Sequence, residues 1–485
     1  MGREQQIINE RLRKVKELRE QKINPYAYKF DKKQNAEECL KSNLGKGVKT
    51  AGRLMTKREL GKISFAKLQD SSGTIQIVLQ EDKTPAEARN FFKKYIDTGD
   101  FIGVEGKIIK TKTKEISILV DKLELLSKSI LPLPEKWHGL KDKEERYRKR
   151  YLDLIMNPEV KEVFEKRQKV IDAIRKFLVK DGYLEVQTPI LQPIYGGTNA
   201  KPFESELNAL NMKVYMRVSN EMYLKRLIGG GYEKVFEFSP DFRNEGIDKL
   251  HNPEFTQVET MWAYADYKDN MELWQRLVEF VVKELYGKTK IKCGDKDIDY
   301  KTPWKTIKFV DVVNKYSNVN LKKIKSLEEI KKEAKKLGLD VKNCKTIGEV
   351  AIEIFEEIAQ PKLIQPTIVY DYPVEATALA RTGEDKNFTK AFEVIINGWE
   401  IALSYCEENE PEELKRKWEE QEAALKKGDE EAQRMDDDFL NMLGIGMPPT
   451  SGVGMGIDRL VMLLTNQPSI RDVILFPFMK PEGLC

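Results

Sequence analysis

Two runs of alternating apolar and polar residues, joined by a polar loop, lie in the middle of the chain at 235–267. This alternation predicts a β-hairpin with a long connection. The loop carries Arg243, Glu245 and His251, and the returning strand carries Glu259. Charged groups on a buried strand are costly unless a ligand or partner satisfies them. The hairpin is therefore either a solvated surface element or a binding site.

The N-terminal part of the chain has two patterns. Apolar residues recur at near-helical spacing over 4–21, which predicts a helix with several basic residues. Beyond residue 47 the period changes to two, and five strands are predicted at 48–54, 64–70, 74–79, 101–105 and 116–120. A helical stretch at 85–95 falls between the third and fourth strands. Five strands with a helix in that place predict an OB-fold barrel, a fold that binds single-stranded nucleic acid.

The rest of the chain mixes helical and strand patterns, which predicts an α+β domain. An amphipathic helix is predicted over 162–180, with Gly182 as its C-cap and a strand ending at Thr188-Pro189. Further helical patterns cover 271–286, 327–361 and 411–427, and strand patterns cover 369–375 and 392–400.

The composition narrows the class of protein. The chain has 485 residues, of which 33% are charged and 40% are hydrophobic, and its net charge is +4. These values indicate a globular protein of two or three domains, and the balanced charge neither requires nor excludes nucleic acid. The five cysteines are scattered, and no apolar run reaches the length of a membrane span. We expect a soluble cytoplasmic protein that has no membrane segment.

Three segments resemble the signature motifs of one enzyme class. FRNEG followed by HNPEFT (242–256) resembles motif 2 of the class II aminoacyl-tRNA synthetases, in the form found in lysyl-tRNA synthetases of the class IIb subgroup. GVGMGIDR (452–459) resembles motif 3, and the long helix, short strand and proline at 162–189 resemble motif 1. Two glycine- and arginine-bearing motifs in this order are far more specific than a lone glycine pattern.

The resemblance implies an architecture. It suggests an N-terminal helical extension (1–30), an OB-fold anticodon-binding domain (31–135), a linker (136–150) and a catalytic domain (151–485). Within the catalytic domain, motif 1 would occupy residues 162–189, motif 2 residues 235–267 and motif 3 residues 450–475. The catalytic core would be a mainly antiparallel sheet flanked by helices, with six antiparallel strands and one added parallel strand. Motif 1 would form the interface of a symmetric homodimer.

The chemistry of amino-acid activation explains why arginines matter. The substrate carboxylate attacks the α-phosphorus of ATP, and because it is already ionised no general base is required. Arginine grips phosphate oxygens with a planar, permanently charged fork. By resemblance, the catalytic residues would be Arg243 and Arg459. The ATP-binding set would be Arg243, Glu245, His251, Phe255, Gly454, Gly456 and Arg459, while Glu393 and Glu400 would bind Mg²⁺.

The amino-acid pocket is also assigned by resemblance. Glu407 would bind the ε-ammonium of lysine, and Glu221 would lie nearer the α-amino group. Three positions depart from the family pattern: Met261 stands for a tyrosine, Leu403 for an asparagine and Trp399 for an arginine. The full predicted amino-acid-binding set is Gly197, Glu221, Arg243, Glu259, Met261, Leu403, Tyr405 and Glu407.

The barrel has its own predicted site. Phe65, Gln76 and Glu115 match family positions that recognise the anticodon. Phe65 would stack on a base, and the other two would hydrogen-bond to base edges. An isolated phenylalanine on a strand is more often a core residue, so this interpretation depends on the resemblance.

Three functions remain open at this point. The first is ATP-dependent activation of L-lysine and its transfer to tRNA(Lys), with Mg²⁺ as cofactor. The second is a paralogue with altered amino-acid specificity, and the third is a non-catalytic, tRNA-binding regulatory relative. The joint presence of Arg243, Arg459, Glu393 and Glu400 argues against the third, since a protein that only binds tRNA needs no such set.

Overall fold

The computed structural model describes residues 2–134, 140, 142–425 and 433–482, and it divides into two units between Lys141 and Asp142. Much of the segment expected to be a linker, 136–139 and 141, lies outside the described residues, as does Cys485. The later part of that segment is helical, because a helix spans Lys143–Arg148 and is capped by the Asp142 side chain.

The first unit contains a closed five-stranded barrel in the order β1-β2-β3-β5-β4. This confirms the predicted OB-fold, and the predicted helices before and within the barrel are also present. Alternate residues of β1 and β2 are buried, as expected for strands with one face toward a core. The elements are α1 (Arg3–Glu20), α2 (Ala36–Leu40), β1 (Gly47–Leu60), β2 (Ile63–Gln69), β3 (Thr74–Gln80), α3 (Ala86–Tyr95), β4 (Phe101–Lys110) and β5 (Ile116–Ser127).

The second unit is built on an eight-stranded sheet in the order β14-β15-β16-β17-β18-β11-β10-β6. Two smaller sheets accompany it, a pair formed by β12 and β13 and a trio in the order β7-β9-β8. The strands are β6 (Leu184–Glu185), β7 (Leu191–Gln192), β8 (Glu204–Leu207), β9 (Met212–Met216), β10 (Lys234–Phe242), β11 (Glu254–Ala263), β12 (Lys290–Cys293), β13 (Lys296–Asp299), β14 (Lys305–Lys308), β15 (Thr367–Tyr370), β16 (Ala391–Ile396), β17 (Trp399–Cys406) and β18 (Thr450–Gly456).

The large sheet corrects one expectation. Its six central strands are antiparallel, as expected, but both edge strands are parallel to their neighbours: β14 pairs with β15, and β6 pairs with β10. The prediction of a single added parallel strand was therefore wrong. The segment 392–400 also spans two strands, because a turn at Asn397-Gly398 divides it.

Helices cover one face of the sheet and enclose the largest core. That core joins α6 and α8 to α14, with Trp274, Leu277 and Leu463 fully buried. A second core lies under the helices near 309–363. The helices are α4 (Lys143–Arg148), α5 (Arg150–Met156), α6 (Glu159–Lys180), α7 (Glu221–Gly229), α8 (Tyr267–Tyr286), α9 (Phe309–Ser317), α10 (Leu327–Lys336), α11 (Ile347–Ile354), α12 (Pro411–Leu425), α13 (Asp437–Ile445), α14 (Ile457–Thr465) and α15 (Ile470–Val473).

In the described part of the chain, every helix is too short or too polar to cross a lipid bilayer.

Candidate active site

The strand register of the large sheet brings distant residues into one row. Glu393 on β16 is opposite Leu403 on β17, which is opposite Gly454 on β18, which is opposite Glu259 on β11. Directly paired residues point to the same face of a sheet. Side chains that are far apart in sequence therefore project into one space, and Gly454 leaves the middle of the row open.

A second row lies beside the first and also has a glycine at its centre. Gly452 on β18 is paired with Met261 on β11 and with Tyr405 on β17. A Cβ atom at position 452 would lie 2.5 Å from Oε1 of Glu407 and 2.7 Å from the thioether of Met261. Any side chain at this position would therefore displace the ends of the Glu407 and Met261 side chains.

A tight hairpin places both candidate metal-binding glutamates on the same face. β16 and β17 are joined by Asn397-Gly398, both with positive φ, which suits a two-residue hairpin loop. A register shift after Val394 pairs Ile395 with Glu400 instead of its neighbour. This bulge puts Glu400 on the face that Glu393 uses, because residues two apart on a strand share a face.

Arg459 extends from the first turn of α14, directly after the glycine-rich strand. Its guanidinium donates to the main-chain oxygen of Glu400 at 2.8 Å and lies 3.2 Å from that residue's carboxylate. Its other terminal nitrogen lies 3.1 Å from Nε2 of His251. The His251 ring is held in turn by Asp248, whose carboxylate lies 2.9 Å from Nδ1. Arg459 is thus positioned between the helix terminus and the motif 2 loop.

Arg243 lies at the start of the hairpin loop and faces the ring of Phe255. The guanidinium carbon is 5.0 Å from the ring centroid, and the Arg243 main-chain N–H donates to Pro253 at 2.9 Å. Its Nε is buried and has no hydrogen-bond partner among the described residues. A buried donor without a partner is costly, so this atom is suited to receive an anionic ligand.

Acidic side chains dominate another part of the site. Glu221, Glu259 and Glu407 are each at most 4% exposed. Burial raises the pKa of Glu259 well above its usual value, and the neighbouring carboxylates add to the effect. Burial also raises the pKa of Glu407 to about 8, with Glu221 adding to the effect and Lys225 opposing it. Anionic groups at this density favour a cationic ligand.

One cavity of about 360 Å³ gathers all the residues predicted for the second unit. Its lining includes the predicted ATP-binding, metal-binding and amino-acid-binding residues, Met261 and Leu403 among them. Trp399, the third departure from the family pattern, instead packs against the main hydrophobic core. The geometry is thus consistent with the predicted site, while the role of each residue remains a prediction.

The structure places Phe65 and Gln76 next to each other on the barrel. Phe65 pairs with Val78 and Gln76 with Lys67, so the two side chains are diagonal neighbours on the same face of β2 and β3. Gln76 donates to Ser117 on β5 at 2.9 Å. Glu115 is exposed in the turn before β5. Phe65 and Gln76 therefore lie on two adjoining strands, and Glu115 lies just before β5, which neighbours β3.

Sequence reasoning did not identify Lys225 as part of the acidic cluster. Its ammonium forms ion pairs with Glu221 and with Glu407. The only local signal was a charged pair, four residues apart, in the largely apolar helix α7. Ser219 and Gln257 were also missed, and each donates to Glu259 at 3.3 Å.

Comparison with known proteins agrees with the fold. The family described as tRNA synthetases class II (D, K and N) matches residues 142–480, and the OB-fold nucleic acid binding domain matches residues 48–126. The fold and the site thus define a class II tRNA synthetase.

Curated relatives identify the group within that class. The chain is 47% identical to a lysine–tRNA ligase of Pelotomaculum thermopropionicum, over 99% of this chain and 97% of the relative. It is 46% identical to lysine–tRNA ligase 2 of Methanosarcina mazei, over 97% and 94%. It is 48% identical to a lysine–tRNA ligase of Thermoanaerobacter pseudethanolicus, over 99% and 97%. The chain belongs to the lysine–tRNA ligase family.

Proposed function

We propose that this protein uses ATP to convert L-lysine to lysyl-adenylate and transfers the lysyl group to tRNA(Lys). The observation that carries the proposal is a single cavity that combines Arg243 and Arg459 with three buried carboxylates. The arginines suit phosphate and carboxylate groups, and the carboxylates suit the amino groups of a diamino acid.

The cavity supports the activation step by holding reactants and balancing charge. The lysine carboxylate attacks the α-phosphorus, the bond to the β-phosphate oxygen breaks, and pyrophosphate leaves. Arg243 contacts the α-phosphate and the substrate carboxylate, while Arg459 contacts the γ-phosphate from the start of α14. Phe255 stacks on the adenine. No proton must be removed, so positioning and charge stabilisation account for the acceleration.

The residues present also suit Mg²⁺. Glu393 and Glu400 share one face and line the ATP part of the cavity. Burial and the nearby Glu400 raise the pKa of Glu393 well above its usual value, so this carboxyl group gains from a cation. Tyr372 donates to one oxygen of Glu393 at 2.8 Å. Two carboxylates together with phosphate oxygens form a typical Mg²⁺ set, and the ion would neutralise phosphate charge.

The proposal extends to partners. Phe65, Gln76 and Glu115 contact the anticodon of tRNA(Lys), with Phe65 stacking on a base. A homodimer forms through the motif 1 region, where Val179 and Leu184 are exposed apolar side chains, and Ile190 and Leu191 continue this surface directly after it. The enzyme acts in the cytoplasm, where tRNA, ATP and lysine occur together.

ATP–pyrophosphate exchange across the standard amino acids tests the proposed function. We expect lysine alone to support exchange, because an uncharged side chain leaves the buried carboxylates without a counter-charge. Exchange with a different amino acid would favour a paralogue whose pocket is reshaped around Met261 and Leu403. Folded protein that binds tRNA but shows no exchange would favour the regulatory relative.

The pKa of Glu407 predicts how lysine use depends on pH. In the empty pocket this carboxyl group has a pKa of about 8, so it is mostly protonated at pH 7. Lysine binding needs its ionised form. We therefore expect kcat/KM for lysine to rise about eightfold between pH 6.5 and 7.5, to reach half its plateau near pH 8 and to level off above about pH 9. The groups around Glu407 are Glu221 and Lys225 on α7, Glu259 on β11, and Tyr405 and Cys406 on β17.

Exchange assays at saturating ATP measure this profile. The KM for ATP serves as the control, because the ATP part of the cavity does not involve Glu407. A flat lysine profile from pH 6 to 9 would show that Glu407 is ionised before lysine arrives.

A further inference from the structure

Lys225 holds two of the acidic side chains in the amino-acid part of the cavity. It lies on α7, one turn after Glu221, and is 1% exposed. Its ammonium forms ion pairs with Oε1 of Glu221 and with Oε2 of Glu407. Because Glu407 follows β17, this single side chain links a helix to the end of a central strand.

Each carboxylate oxygen of Glu221 already has a partner within the protein. Its first oxygen is paired with Lys225, and its second accepts a hydrogen bond from the Tyr405 hydroxyl at 2.6 Å. The ammonium of Lys225 also lies 5.7 Å from the centroid of the Tyr405 ring. Lys225 and Tyr405 thus fix both carboxylate oxygens of Glu221, and Lys225 connects this group to Glu407.

The carboxylate of Glu407 has fewer hydrogen-bond partners than that of Glu221 among the described residues. Both carboxylate oxygens are buried, and neither has a hydrogen bond of standard geometry among the described residues. The ion pair with Lys225 is made through Oε2, while Oε1 lies beside the bare backbone of Gly452, which lines the cavity. Glu259 is similarly under-satisfied, because its two hydrogen bonds are both 3.3 Å long. Two of the three carboxylates therefore have capacity left for a ligand.

The charges in this part of the cavity follow from these contacts. With a diamino acid bound, its two ammonium groups favour the ionised form of the three enclosed carboxylates, whose charge together with that of the Lys225 ammonium is then −2. A diamino acid brings two ammonium groups, and its carboxylate is matched by Arg243. Without Lys225 the cluster would hold one negative charge more than such a ligand neutralises, and an uncompensated buried charge is strongly unfavourable.

We propose that Lys225 is a specificity-determining residue, whose resident ammonium neutralises one buried carboxylate and aims Glu407 at the side-chain ammonium of the incoming diamino acid. This inference rests on the proposed function, since it concerns the same pocket. Lys225 acts through Glu221 and Glu407, so it is a positioning residue.

Replacing the ammonium by a neutral group of similar length tests the proposal. For Lys225→Met we expect the KM for lysine to rise at least about 30-fold at pH 7.5, while the KM for ATP stays within twofold. The pH at which kcat/KM for lysine reaches half its plateau should also move up by about one unit or more, because Glu407 loses its nearest cation. A merely structural role would not shift this profile.

Three further variants separate charge from packing. Lys225→Gln can still donate hydrogen bonds but lacks the charge, so it should show the same shift even if the methionine variant folds poorly. Lys225→Arg keeps the charge and should recover most of the lysine affinity. Lys417→Met is the matched control, because Lys417 forms a similar ion pair with the buried Glu408 at 2.9 Å. It should leave the lysine pH profile unchanged.

Failure of the Lys225 inference and failure of the proposed function would give different results. An unshifted profile in folded Lys225→Gln, or equal losses for lysine and ATP at every pH, would overturn the inference. Wild-type exchange with a different diamino acid would remove the proposed lysine specificity but retain the charge argument. Exchange with an amino acid whose side chain is neutral, or no exchange at all, would overturn both.

Discussion

Glu407→Gln should raise the KM for lysine in ATP–pyrophosphate exchange by about two to three orders of magnitude. Removing one partner of a buried charge pair typically costs about 2–5 kcal/mol, since the remaining charge loses its counter-ion. Glu407 is 2% exposed, so water cannot replace the carboxylate. The amide keeps the shape of the side chain and can still accept from Lys225, which limits the change to the loss of charge.

Glu408→Gln is the matched control for this substitution. Its carboxylate is equally buried but faces Lys417 instead of the cavity, so the KM for lysine should stay within about threefold of wild type. If Glu407→Gln also left that KM within threefold, Glu407 would not be the lysine counter-ion.

Arg243→Gln should reduce the rate of adenylate formation by about three to five orders of magnitude, the range measured when an arginine that stabilises phosphoryl-transfer charge is removed. Within the described residues the buried Nε of Arg243 has no hydrogen-bond partner, and the ring of Phe255 lies against the guanidinium. The ring contact orients Arg243 before substrate arrives. Single-turnover measurement of adenylate formation would report the chemical step directly.

Two companion variants sharpen the arginine experiment. Arg243→Lys keeps the positive charge but loses the planar fork, so it should recover only part of the rate. Arg276→Gln changes an exposed arginine on α8 and should have no effect on the rate. A rate for Arg243→Gln within tenfold of wild type would contradict the assigned role.

Local patterns were sufficient to predict the strands that alternate regularly. The hairpin of β10 and β11 and the five barrel strands were predicted because apolar and polar residues alternate and turn residues separate them. Four of the five barrel strands are longer than predicted, and β2 has the predicted length. β1 continues through Lys57, Arg58 and Glu59, whose charges hide the strand signal, because that end of β1 extends past the core.

Strands whose pairing depends on distant residues were not predicted. β14 is Lys305–Lys308, short and mostly exposed, and its partner β15 begins at Thr367. The three-stranded sheet of β7, β8 and β9 consists of equally short segments. Nothing within such segments favours a strand, because tertiary contacts decide their conformation.

The residues of the candidate site were likewise predicted where a local motif marks them and missed where only tertiary packing does. Motif resemblance predicted Arg243, Arg459 and the glutamates, and the structure brings them into one cavity. Lys225 was not predicted, because a lysine four residues after a glutamate usually marks the solvent face of a helix. Only the packing of α7 against β11 shows that this pair is buried.

Gly452 limits which positions of the pocket can be varied to make this enzyme accept lysine analogues. Gly452 adds only main chain to the pocket, and a side chain there would displace the Glu407 carboxylate and the Met261 thioether. A combinatorial library should therefore keep position 452 constant and diversify 261 and 403, whose side chains form the walls. Truncating Met261 would enlarge the cavity beside Glu407 and Gly452, which is where added volume for a bulkier substrate side chain is available.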